Sequence, residues 1–218
     1  NDIQFALRAP GISVFIATGA IHYQFSKITG FTPVPGIGGF GKAVDEQHAM
    51  PDLCTISSYR MDVALEGANK NAEVVTEGRQ SYHENYYLPG CFKNGVQAHA
   101  YSKVTYKNIY PNIDWVIYLK NDHLEHEFVV RPGGDPSVIR IKYAGQNTLS
   151  INQDGSLSAT TPMGTINEHA PECYNSNGIK ITSKYKVQDD LLTYDIGAYT
   201  GTLVIDPMVQ WASYYGPD

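Results

Sequence analysis

Residues 113–130 read Ile-Asp-Trp-Val-Ile-Tyr-Leu-Lys-Asn-Asp-His-Leu-Glu-His-Glu-Phe-Val-Val, and no other stretch constrains the fold as tightly. Asn121-Asp122 suits a two-residue turn with both residues at positive φ. That turn fixes a register in which Leu119 faces Leu124, Ile117 faces His126, Trp115 faces Phe128 and Ile113 faces Val130. These side chains share one face, apolar except for His126, and are expected to look into a core. The other face carries Asp114, Val116, Tyr118 and Lys120 against Val129, Glu127, Glu125 and His123. A slip of one residue would bury three acids, so the register is strongly specified. Asp114, Glu125 and Glu127 are expected on a solvated sheet face.

The remainder of the chain repeats this strand-and-turn grammar. Segments 3–7, 12–19 and 21–27 are strand-like, with Phe5, Val14, Phe15 and Ile16 as candidate core residues. Residues 30–44 hold five glycines and two prolines and read as a loop. Residues 54–65 alternate as a half-buried strand. Pro89-Gly90 marks a turn, and Asp154-Gly155, Pro162-Met163-Gly164 and Asn177-Gly178 lie between strand runs at hairpin spacing. After residues 131–137 turn the chain, 137–143 are expected to return as a strand, with Asp135 and Ser137 capping local N–H groups. No segment has a long 3.6-residue apolar period, so little helix is expected. The expected fold is all-β: an antiparallel β-sandwich, jelly-roll-like or a larger two-sheet form. It would span residues 1–218 as one module, with an alternative split near residue 98.

Composition narrows the function classes. The 218 residues carry a net charge of −6, and the 16 basic residues are scattered. That pattern gives no electrostatic footprint for nucleic acid. No apolar run approaches a membrane span, so no membrane insertion is expected. Charged residues are only 17% and tyrosines number 16, a balance that suits sheets joined by turns. The three cysteines, Cys54, Cys91 and Cys173, have no CxxC spacing. They are read as buried apolar residues, with a single disulfide as the alternative.

Several segments together resemble a known module. A tyrosine-rich strand enters Tyr110-Pro-Asn-Ile-Asp-Trp-Val-Ile-Tyr118. A turn and Leu124-Glu-His-Glu-Phe-Val-Val-Arg-Pro-Gly-Gly-Asp-Pro136 follow. Later come Gly145, Asp154-Gly155, Ala170-Pro-Glu-Cys-Tyr174 and the closing Leu203-Val-Ile-Asp-Pro207. The order is similar to that of the domain of unknown function on the N-terminal side of SBBP (β-propeller) repeats in bacterial secreted and surface proteins, especially of Bacteroidetes. The resemblance covers residues 55–216 well and 1–54 weakly. His126 and Glu127 stand where that pattern carries an aromatic residue and an Asp. The resemblance implies an exported module of a larger protein, in some cases with a type IX sorting tail. Residues 207–218 would then form an exit segment toward a following domain, and neighbouring domains of the parent would be partners. It supplies no catalytic residues.

Each chemical motif has a simpler structural explanation. His123-Leu-Glu-His-Glu127 is not the helical HExxH of metalloproteases, because strand alternation sends His123 and His126 to opposite faces. Gly36-Ile-Gly-Gly-Phe-Gly41 matches GxGxxG, but no buried strand precedes it and no helix follows. Residues 152–156 resemble a fragment of a calcium loop yet lack its distal Glu, and read as a hairpin turn. There is no G-x-S-x-G elbow for a nucleophile. No metal or cofactor is expected.

Three functions remain. The first is a non-catalytic extracellular module with a structural, adhesive or scaffolding role. The second is a carbohydrate-binding module that stacks sugars on tyrosines, with Tyr82, Tyr86, Tyr87, Tyr106, Tyr110 and Tyr118 as the richest group. A surface glycan or a protein would be the partner. The third is a glycoside hydrolase using Asp114, Glu125 and Glu127. The ligand-contact candidates are Tyr82, Tyr86, Tyr87, Tyr118, Asp114, Glu125 and Glu127.

Overall fold

The structure is a computed structural model that describes residues 3–32, 53–87, 95–120, 123–207 and 209–213. Strands are numbered in chain order. One seven-stranded sheet has the spatial order β1 (Ile3–Ala9), β2 (Ile12–Ala17), β3 (Ala20–Thr32), β4 (Leu53–Leu65), β9 (Ile141–Ala144), β16 (Leu191–Ile196) and β15 (Ser183–Gln188). The other runs β14 (Lys180–Ile181), β13 (Glu172–Asn175), β17 (Leu203–Asp206), β8 (His123–Val130), β7 (Ile113–Lys120), β6 (Val96–Tyr110) and β5 (Glu73–Tyr86). A third, four-stranded sheet joins β10 (Thr148–Ile151), β11 (Leu157–Thr161), β12 (Gly164–Glu168) and β18 (Val209–Ser213). Pairing is antiparallel throughout the described strands. The chain is therefore an all-β sandwich. No described helix is long and apolar enough to cross a membrane.

The register expected for the central hairpin is the one observed, from Ile113 opposite Val130 to Leu119 opposite Leu124. The Asn121-Asp122 turn itself lies outside the described residues. Trp115 stacks between Tyr106 of β6 and Phe128 of β8, and Phe128 meets Tyr194 of the opposite sheet edge-on. Across the sandwich, Val14, Tyr23, Met61 and Leu192 are buried from the first sheet, with Ile113, Ile205 and Leu203 from the second. Each fully buried large side chain contributes about 2–3 kcal/mol of apolar burial. One connected core draws on strands before and after residue 98, and β6 runs continuously through that residue. Residues 209–213, read above as part of an exit segment, form β18 and pair along β12.

Some local expectations need correction. Residues 137–143 are not one strand: Pro136–Val138 form a 3-10 turn, and β9 begins at Ile141. Pro136 fixes a helical φ, and the Asp135 carboxylate accepts from the Ser137 N–H, so the turn outcompetes the ladder. Phe15 is only half-buried, because strand alternation sends it away from Val14 and Ile16. Cys54 is exposed on β4, whereas Cys173 is buried, and both are free thiols. Gly36 to Gly41, Pro89-Gly90 and Cys91 lie outside the described residues.

Candidate functional site

The residues that carry the sequence signature converge on the backbone. In β6 the pairing slips between Tyr106 and Tyr110, and Asn108 adopts φ +50°. Asp114 of β7 reaches back to this bulge and accepts the Asn108 N–H at 2.8 Å. It also accepts from Lys107 at 3.0 Å and from Arg131 at 2.5 Å. Arg131 donates to the Asn108 side chain as well, and its N–H donates to the Asn112 carbonyl. A Cβ on Gly134 would stand 2.9 Å from Val130 and 3.0 Å from the Asn112 carbonyl, so the Pro-Gly-Gly turn must pass there without a side chain. Asp114 is 3% exposed. Burial would raise its pKa, but the Asn108 N–H, Arg131 and Lys107 outweigh burial and hold the carboxyl below its usual range. This clamp is ill-suited to acid–base catalysis, because its donors hold the carboxylate ionised.

The outer face of the hairpin also departs from expectation. Glu125 is buried, and Val116 and Thr105 beside it are buried too. The face is therefore not the solvated surface expected from alternation. Burial, then the Asp206 carboxylate, raises the pKa of Glu127. Tyr174 donates to Asp206 at 3.0 Å. Burial and the fields of Asp206, Glu127 and Glu125 push the Tyr118 phenol upward. Among the described residues, no group of three or more His, Cys, Asp or Glu is placed to hold a metal ion. His126 faces the core and accepts from the Trp115 indole N–H at 3.4 Å; burial lowers its pKa to about 4.

A cleft of about 490 Å³ opens elsewhere, at one edge of the sandwich. Residues 3–8 of β1, the terminal strand of its sheet, line it. Its floor is the inner face of the second sheet, including Val104, Ile117 and Leu124, and continues onto the small side chains of Ala98 and Ala100. These alanines lie beside the outer half of β5, where Glu84 pairs with Ala98. Alternation places Tyr82, Glu84 and Tyr86 along one wall. Both phenols donate to the Glu84 carboxylate, Tyr82 at 3.1 Å. Those bonds, Tyr86 first, hold Glu84 below the usual carboxylate range. Arg8 of β1 stands 3.6 Å from Glu84 across the mouth.

The sequence candidates thus separate. Tyr82 and Tyr86 come together in the cleft, and Tyr82 is 63% exposed. Tyr87 is exposed but is not among the lining residues. Tyr118 borders the cleft, while the electrostatic partners of its phenol, Glu125 and Glu127, lie on the outer face. Asp114, Glu125 and Glu127 do not line it. Tyr106 and Tyr110 are core residues whose hydroxyls donate to Gln4 and to the Glu66 carbonyl, so they form no surface platform.

Sequence reading missed a second polar centre. Glu168, at the end of β12, is fully buried and accepts from Tyr143 at 2.6 Å and Tyr185 at 3.3 Å. Burial raises its pKa against the pull of those two hydroxyls. Gly164, Ile166 and Glu168 alternate inward on one strand, and that period was the available signal. The cluster ties the small sheet to β9 and β15.

Fold and site together define an antiparallel β-sandwich module with a signature clamp and an open edge cleft. The chain belongs to the family described as Domain of unknown function (DUF7948), which matches residues 1–208. The match includes residues 1–54, where the sequence resemblance was weak. No curated protein and no solved structure matches the chain.

Proposed function

We propose that this chain is a non-catalytic module of a larger exported surface protein, and that it binds through the cleft beside β1. The observation that carries this reading is the division of labour among its polar groups. The signature side chains Asp114 and Arg131 hold the β6 bulge and the Pro-Gly-Gly turn, and the cleft is walled by tyrosines over an apolar floor. Such a concavity with few oriented polar groups suits binding. Export, and a place ahead of SBBP repeats in a Bacteroidetes parent, rest on the resemblance of the Tyr110–Pro136 and Leu203–Pro207 segments. A structural or adhesive role fits both.

The test has two arms. Purified chain is incubated with a panel of polysaccharides while reducing-sugar release and retention are followed. No release is expected; release abolished by Glu127→Gln would overturn the non-catalytic reading. Protease shaving of intact cells that make the full-length parent should remove the module's epitope, and full protection in intact cells would overturn surface exposure.

A second reading is favoured by the Tyr82, Glu84 and Tyr86 wall. An aromatic face beside a carboxylate is the chemistry that binds a sugar ring. Retention of a glycan that Tyr82→Ala and Tyr86→Ala both abolish would establish it.

A further inference from the structure

We propose that the cleft accepts an extended peptide strand from another polypeptide, added to the edge of β1 that no described strand covers. The inference rests on the binding-module reading above and names its partner.

Three observations converge. First, β1 pairs only with β2 among the described strands, and β5 is the terminal strand of the facing sheet. Two sheet edges therefore flank the same opening. Second, residues 3–8 of β1, the terminal strand of its sheet, all border the cleft. On the side of β1 away from β2, the main-chain N–H and C=O groups meet no described strand. An unpaired edge of this kind templates another strand. Third, the floor is the inner face of the sandwich itself: Val104, Ile117 and Leu124 continue into Ala98 and Ala100. An added strand would place alternate side chains on that floor and complete the core.

The chemistry of the occupant follows from the edge and the floor. Only an extended polypeptide supplies donors and acceptors at the 3.4 Å repeat that β1 presents. Its inward positions must be apolar, and Ala98 and Ala100 leave room there for a large side chain. The seven residues of β1 allow pairing over about 23 Å. Main-chain bonds would give affinity and the floor would give specificity, as in strand addition elsewhere. Tyr82 and Tyr86 then flank the strand, with the Arg8 and Glu84 pair at the mouth.

The experiment starts from free dodecapeptides selected from a phage-displayed random library against the purified chain. For the best peptide, binding is measured with backbone N-methylation at every second residue, in the two alternate sets. One set should weaken binding more than about tenfold and the other less than about threefold, because alternate amides of a paired strand face opposite ways. Hydrogen exchange of the residue 3–9 amides should slow on binding. Ala98→Trp, checked for an unchanged melting midpoint, should abolish binding, and Lys186→Ala on the far edge should not. The methylation scan needs no protein variant, so it decides the matter even if Ala98→Trp fails to fold. Equal sensitivity of both sets, unprotected β1 amides or a failure to select any peptide would overturn strand addition. A glycan whose retention Ala98→Trp abolishes, with no peptide bound, would also overturn it and leave the binding-module reading standing.

Discussion

Asp114 shows what a single buried carboxylate does when both of its oxygens are engaged. Replacing it with Asn leaves Lys107 and Arg131 facing a neutral amide at a site that is 3% exposed. The expected loss is about 2 kcal/mol in urea unfolding, since a charge-assisted buried network is broken while both cations keep partial solvent. The sign with pH follows from the depressed folded pKa. The stabilisation is full above the unfolded value of about 3.9 and disappears as pH falls through the folded value. The difference between wild type and Asp114→Asn should therefore shrink below about pH 4. Glu168 has the opposite sign. Its folded pKa is raised, so its contribution is full below the unfolded value of about 4.3 and is lost as pH rises through the folded value. Glu168→Gln still accepts from Tyr143 through its amide oxygen, can donate its amide N–H to the Tyr185 hydroxyl, whose proton has the His169 carbonyl as acceptor, and cannot ionise. Its urea midpoint should gain on wild type between pH 4 and pH 8, and a parallel pair of curves would refute that account.

At the scale of elements, the sequence was legible where one face is buried and the turn is short. The β7–β8 register could be read because a slip would have exchanged Trp115 and Phe128 for acids on the core side. What it could not reveal is what lies on the second face: alternation put Glu125 outward, but outward on this sheet is not solvent. The Asp114 clamp was hidden for a related reason. Its three partners come from a bulge in β6 and the end of β8, and a bulge shifts the register without altering composition. The cleft was partly legible, since Tyr82 and Tyr86 were singled out, but β1 as its opposite wall is a matter of sheet order. Glycine placement offers a direct test. Gly145 follows β9 at φ +91°, and a Cβ there would lie 2.5 Å from the Arg60 carbonyl of β4. Gly145→Ala should cost about 2 kcal/mol or more through backbone strain and displacement of β4, read as a lower urea midpoint.

For the whole molecule, acid should be the weak side. His126 sits between the two large sheets with a folded pKa near 4, lowered by burial, against about 6.5 when unfolded. Its contribution is intact above pH 6.5 and is lost as pH falls toward 4, amounting to about 3 kcal/mol by the lower limit. His126→Gln keeps an acceptor for the Trp115 indole and removes the titration, so the melting temperature of that variant should vary less between pH 7 and pH 4. An unchanged slope would place the acid sensitivity elsewhere. The same arrangement gives the protein a built-in optical gauge. Trp115 stacks on Phe128, Phe128 touches Tyr194 across the sandwich, and the indole N–H rests on the one imidazole nitrogen able to accept it. When that imidazole takes up a proton the acceptor is lost and a quenching cation stands beside the indole. In a Trp211→Phe background, tryptophan emission would dim at the pH where the two sheets begin to part, ahead of any change in far-ultraviolet dichroism.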